Sequence, residues 1–210
     1  MELERRFISF ADLGDEGLGV EEREAGKLMI RGYCARFNSP SHDLGGFREI
    51  LLPGCFAKVL ANRKLDCIAN FNHSGDHVLG RTRNKTLTLR EDEKGLFMEI
   101  DPPDTQFARD LCLQIRRGDI AGASFAFTVN PKDEEFEKDE RGNSIRKISA
   151  VSGLYDCSVV TVPAYPQTSI AVRSFEAWKA AQAQAVRLSL RSPRVAASLA
   201  LARLKAHAAG

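Results

Sequence analysis

AGASFAFTV, residues 121–129, is a nearly unbroken apolar run, and its length and aromatic content read as a strand. Upstream, Phe107, Leu111 and Ile115 recur at helical spacing, which predicts a helix over 105–117 with Asp104 as its cap and Gly118 as its stop. Downstream, PKDEEFEKDERGNS (131–144) reads as a solvated hairpin extension. Residues 145–151 and 154–162 read as further strands, closed by Pro163 and Pro166.

Toward the N-terminus, LMIRGYCARF (28–37) and FREILL (47–52) read as strands around a Ser/Gly loop. Pro53 is suited to open a short helix at PGCFAKVLANRK, where Phe56, Val59 and Leu60 share a face. LDCIANF (65–71) predicts a buried strand that ends at Asn72-His73-Ser74-Gly75, so His73 stands where a strand emerges. TLTLR (86–90) and LFMEI (96–100) alternate and are joined by a turn containing Gly95, a meander. The chain is therefore expected to be β-rich α+β. From Ser174 onward the strand signal gives way to an Ala-rich, helix-forming tail interrupted by Ser192-Pro193.

With 43% hydrophobic and 28% charged residues over 210 positions, the composition is that of one globular domain plus an appendage. No apolar run reaches the roughly 20 residues a bilayer span requires, and MELERRFISF lacks the pattern of a secretory signal, so an intracellular protein without a membrane partner is expected. Five scattered cysteines without a CxxC pair argue for reduced thiols rather than a disulfide framework or a zinc site. The net charge of +2 conceals an asymmetry: residues 174–210 hold six Lys/Arg against one acid. Without interleaved aromatics, that tail gives no specific nucleic-acid signal.

Among the four histidines, His42 in its loop and His207 in the tail read as solvated residues, leaving His73 and His77 as candidates for base chemistry. The group HSGDH also permits a metal site of His73, Asp76 and His77, although Gly75 disfavours the helix that such spacing needs. Ser124 in GASFAF is either a small strand residue bonded to backbone or a nucleophile, its small neighbours leaving room for a peptide. Asp156 in an apolar strand needs a partner or a wet face, since burying an unpaired carboxylate is costly.

RGYCARFNSP, EILLPGCF, NFNHSGDHVLGRT, LREDEKGL, RRGDIAGASFAF and LYDCSVVTVPAYPQT, in this order, resemble the prohead (capsid maturation) serine proteases of tailed bacteriophages. The resemblance implies His73 as base, Ser124 as nucleophile and Asp156 as the acidic third member, a position where the family commonly has Glu. It further implies a β-barrel surrounded by helices, like the herpesvirus assembly proteases, with residues 1–25 as an N-terminal extension, 26–173 as the protease domain and 174–210 as the basic helical tail. No cofactor or metal is implied. The implied partner is the major capsid protein or a scaffolding domain as substrate, inside the assembling procapsid in the bacterial host cytoplasm, with self-cleavage and with homo-oligomerisation left open. His77 stands in reserve for His73, and backbone N–H groups near Gly80-Arg81 or Gly122 are candidate oxyanion donors. A scaffold protein that keeps a protease-like body without chemistry is the alternative.

Overall fold

The computed structural model describes residues 3–9, 18–23, 26–120, 122–161 and 169–190. By contact density the chain divides into Met1–Ala171 and Val172–Gly210. The first unit holds the strands β1 (Glu4–Ser9), β2 (Gly19–Glu22), β3 (Leu28–Arg36), β4 (Phe47–Leu51), β5 (Ile68–Asn70) and β6 (Val78–Arg81). They are followed by β7 (Leu87–Glu91), β8 (Gly95–Ile100), β9 (Gly122–Val129), β10 (Glu134–Lys138), β11 (Ser144–Ile148) and β12 (Val151–Val160). Two helices, α1 (Ala57–Leu60) and α2 (Gln106–Arg117), interrupt them.

The hydrogen bonding draws three sheets: β1-β9-β12-β5-β6, β2-β3-β8-β7 and β10-β11-β4. A β-rich fold with few helices agrees with the pattern of short apolar runs, but no single ladder closes the described strands into the expected barrel. The sheets meet through side chains instead: β3 packs on β9, and Cys34 of β3 brings its Sγ within 3.5 Å of Cys157 Sγ on β12. All eight residues of β9 are buried: β1 and β12 flank it in the ladder, β3 packs on it, and Phe56 and His73 lie against Phe125 and Ser124. Phe125 and Phe127 of this strand stack at 4.8 Å between ring centroids, and Phe56 meets Phe125 edge-on at 5.7 Å. All five cysteines are free and buried.

Local differences from the sequence expectation have local causes. Helix α2 is capped by Thr105 rather than Asp104: Thr105 has extended backbone at the boundary and its hydroxyl accepts from Ala108 N–H at 3.3 Å, while Asp104 pairs with Arg109. Helix α1 keeps only one turn, since Gly54 takes a left-handed conformation (φ +89) just after Pro53 and stops the helix from starting there. The charged segment does form a hairpin, β10–β11, yet β11 continues the sheet by pairing in parallel with β4. The N-terminal residues expected as an extension supply β1, which pairs with β9 in antiparallel register from Glu4↔Phe127 to Ser9↔Gly122.

What fastens β1, β4, β10 and β11 together is a buried ion cluster. The Arg6 guanidinium donates to both carboxylate oxygens of Glu49, at 2.8 and 2.7 Å, and to Glu4 at 2.7 Å. Arg146, 1% exposed, donates to both oxygens of Glu4, to Glu49 at 2.6 Å and to Glu134 at 2.6 Å. Burial alone would push the Glu4 carboxyl up, but the hydrogen bonds and charges of Arg146 and Arg6 outweigh it and hold it below the ordinary value of 4.5. Burial opposes the Arg146 charge too, and Glu4, Glu49 and Glu134 together raise its affinity for its proton further.

The second unit contains most of helix α3 (Ser169–Leu190), where Phe175 and Trp178 stack at 5.9 Å. The helical tail expected from residue 174 falls here, and its residues 191–210, with His207, lie outside the described residues. No helix among the described residues is long and apolar enough to cross a membrane.

Removing one partner from a buried charge cluster leaves the others uncompensated, so Arg146→Ala should lower unfolding free energy by about 3–5 kcal/mol at neutral pH in urea titrations. The depressed Glu4 carboxyl contributes stability present above pH 4.5 and lost as pH falls through its folded value. The wild type should therefore lose stability on acidification below pH 4.5, and the variant should lose less over that window.

Candidate active site

Three adjacent strands of the five-stranded sheet, β9, β12 and β5, carry the site. Ser124 of β9 stands directly opposite Ser158 of β12 in the antiparallel ladder. Asp156 lies two residues before Ser158, so strand alternation turns both side chains to one face and Cys157 to the other. A register shift between Leu154 and Asp156 interrupts the pairing with β9 just before the carboxylate, leaving Tyr155 48% exposed. β12 pairs in parallel with β5 through Asp156↔Ile68, and an isolated bridge joins Phe71 to Val159, so the turn after β5 arrives beside Ser158.

That turn sets His73. Asn72 and His73 both have left-handed backbone, φ +52 and +57, and Ser74 N–H donates to Phe71 C=O at 3.0 Å, the geometry of a type I′ turn. Asn72 tolerates this conformation better than most residues, and its Oδ1 accepts from Thr161 N–H at 3.0 Å while its own N–H donates to Val159 C=O at 2.9 Å. Through Asn72, the residue before the histidine, the turn is thereby tied to the end of β12 at Val159 and to Thr161 just beyond it.

The His73 ring spans the gap between the other two residues. Its Nδ1 lies 2.8 Å from Asp156 Oδ1 and its Nε2 2.8 Å from Ser124 Oγ. The imidazole and carboxylate side chains are 10% and 13% exposed, and Ser124 is fully covered. A carboxylate only accepts, so Nδ1 carries the proton and Nε2 presents its lone pair to the serine hydroxyl. The three residues singled out in the sequence are thus brought together in one hydrogen-bonded line.

The other candidates lie elsewhere. His77 stacks on Phe107 at 4.4 Å and meets Phe71 edge-on, in an aromatic group beside the turn. The metal arrangement of His73, Asp76 and His77 has no geometric support: both His73 nitrogens already have partners, and no three His, Cys, Asp or Glu side chains among the described residues gather as a metal site. His42 is exposed in its loop. Arg81 N–H donates to Thr86 Oγ1 at 2.9 Å, which removes it as an oxyanion donor. At Gly122 the missing Cβ makes room for the Phe7 ring of β1, so the small residue there serves packing within the sheet rather than the approach of a peptide.

Two residues of this group entered the sequence analysis only as parts of the segments that carry the family resemblance, with no role of their own. Ser158 Oγ lies 2.8 Å from Asp156 Oδ1, 3.2 Å from His73 Nδ1 and 2.7 Å from Asn70 Oδ1, and both Ser158 and Asn70 are buried. The i, i+2 spacing of Asp156 and Ser158 would have put them on one face, but nothing in the order of residues ties Asn70 to them.

A hydroxyl, an imidazole and a carboxylate in line on a β-rich body form the arrangement with which serine hydrolases activate their nucleophile. The family model for caudovirus prohead serine proteases matches residues 17–182, and the chain belongs to that family. The prohead protease of Enterobacteria phage HK97 is 32% identical over 144 residues, covering 68% of this chain and 59% of that protein, so the chain spans about three fifths of its relative's length. The solved capsid assembly protease of bacteriophage T4 aligns with 75% of this chain and 99% of its own, at 10% identity and a TM-score of 0.46. The late PAYP motif falls at residues 163–166, outside the described residues.

Alanine lacks the local hydrogen bonding that lets asparagine occupy the left-handed region, at a cost of about 1–2 kcal/mol. Asn72→Ala should accordingly destabilise the protein by about that amount in urea titrations, and Asn72→Gly by less, because glycine adopts the turn without strain.

Proposed function

We propose that this chain is a serine endopeptidase of prohead maturation, with Ser124 as nucleophile, His73 as general base and Asp156 as the acidic third member. The observation that carries it is the pair of 2.8 Å contacts that His73 makes with Ser124 and Asp156 from its two ring nitrogens. In the acylation step Ser124 Oγ attacks the scissile carbonyl carbon while His73 Nε2 takes the hydroxyl proton. The resulting imidazolium is stabilised by Asp156 and then gives its proton to the leaving amine as the C–N bond breaks. Water, activated by the same imidazole, releases the acyl group and restores the serine. Because Ser124 is fully covered, a scissile carbonyl reaches Oγ only when the group over it moves aside.

The substrate class follows from membership of the family: the capsid protein or a scaffolding domain, met inside the assembling procapsid in the bacterial host, with self-cleavage following. Confinement with a dense array of substrate makes a slow enzyme sufficient. The same proposal takes the three sheets as the pieces of a barrel of the herpesvirus assembly-protease kind, supported by the packing of β3 on β9. The basic tail, 174–210, serves either to target the enzyme to the scaffold or as a cationic extension with no partner of its own.

Co-expression with a capsid protein as candidate substrate, read by intact mass of both proteins, tests this. Wild type should yield defined fragments; Ser124→Ala and His73→Ala should each reduce cleavage by about 10⁴–10⁶-fold with the fold retained. Asp156→Asn should cost about 10³–10⁴-fold, through the wrong imidazole tautomer. A chelator should leave the rate unchanged. Undiminished cleavage in Ser124→Ala would overturn the assignment, and no cleavage by wild type would favour the non-catalytic scaffold.

A further inference from the structure

The polar contacts of Ser158 exceed what a buried strand serine requires. One hydrogen bond to a neighbouring backbone carbonyl would satisfy its hydroxyl. Instead Oγ lies within 3.2 Å of three side-chain atoms, Asp156 Oδ1, His73 Nδ1 and Asn70 Oδ1, and stands across the ladder from Ser124. Ser158 is fully covered and Asn70 is 6% exposed, so no solvent competes for these bonds.

We propose, building on the triad assignment above, that Ser158, anchored by Asn70, is a positioning residue that holds the Asp156 carboxylate in line with His73. The need for it comes from the carboxylate. Torsion about the last bond of an aspartate is broad, so the hydrogen bond from His73 Nδ1–H does not by itself fix the carboxylate plane. A second donor on the same Oδ1 atom does. Ser158 reaches it because residues two apart on β12 share a face.

A serine hydroxyl has one proton, and two acceptors lie within reach, the Asp156 carboxylate and the Asn70 amide. A hydrogen bond to an ionised acceptor is roughly twice as strong as one to a neutral acceptor, so the proton goes to Asp156. Asn70 then steadies the serine oxygen best by a half-turn of its amide, which brings Nδ2 to face Oγ as a donor. The result is a chain of four side chains behind the nucleophile, Asn70 to Ser158 to Asp156 to His73, each fixing the next.

The sign of a measurable effect follows. The Ser158 donor withdraws charge from Asp156; without it the carboxylate favours the imidazolium more strongly. The midpoint of any process that needs neutral His73 should then move to higher pH, while loss of alignment lowers the plateau rate.

The test uses the full chain and the rate at which a fluorophosphonate labels Ser124 across pH 5–9, with the site read by intact mass and peptide mapping. Ser158→Ala should lower the plateau rate by about tenfold and move the midpoint upward, the loss expected for one hydrogen bond to a charged group. Ser158→Cys, of similar volume with a weak donor, should move it the same way, which keeps the test decisive if the alanine variant fails to fold. Ser158→Thr, which retains the hydroxyl, should restore the wild-type midpoint. An unchanged or lowered midpoint in the folded Ala or Cys variants would overturn the positioning role, whatever their stability. Failure of the triad assignment looks different: wild type would not label at Ser124, or His73→Ala would label as fast as wild type.

Discussion

Ser124 and Ser158 face one another across the β9–β12 ladder, and the rest of the site is placed by reference to that pair. Asp156 shares a face with Ser158 because strand alternation has a period of two, and His73 arrives above them because β5 runs parallel to β12 and its following turn is bridged to Val159. A one-residue slip of β12 against β9 would turn Asp156 and Ser158 to the opposite face and empty the site. The register is held on both sides by apolar packing: Phe125, Phe127, Val159 and Cys157 are buried and cannot be exchanged for their outward neighbours without loss of the core.

The buried ion cluster supports this indirectly. Arg6 and Glu4 fasten β1 to Glu49 of β4, Glu134 of β10 and Arg146 of β11, and β1 in turn forms the far wall of β9 with Phe7 opposite Ser124. Charges removed from water in this way are retained only when each has several partners, and here every member has at least one within 2.8 Å. The cluster ties together strands far apart in the chain, so the strand bearing the nucleophile is braced from segments that a hydrophobic contact alone would fix less specifically.

The backbone at Asn72-His73 concentrates local strain at the point where the imidazole must be aimed. Two consecutive left-handed residues other than glycine are held by hydrogen bonds from both backbone and side chain of Asn72. The turn is short, and it delivers the ring with both nitrogens already engaged, so no loop reorganisation is needed to form the line from serine to carboxylate.

Much of this was legible in the order of residues. The apolar runs at β3, β4, β9 and β12 announced strands, the spacing of Leu111 and Ile115 announced α2, and the strand-end polar cluster marked His73 as an emergent residue, because hydrophobic periodicity and turn chemistry act over a few neighbours. By local pattern Ser124 and Asp156 were visible only as unusual polar residues in apolar strands, and it was the family resemblance that joined them to His73; their meeting in space is a matter of strand order, which local pattern does not carry. The same holds for β1, for the Arg6 and Arg146 cluster, for the arrangement into three sheets, and for Asn70 and Ser158, 88 residues apart and 2.7 Å from one another. Neighbouring residues alone suffice to mark which segments become strands and which side chains can do chemistry. Which strands lie side by side emerges in the folded molecule, since pairing is settled by long-range burial and charge compensation rather than by any residue's neighbours in the chain.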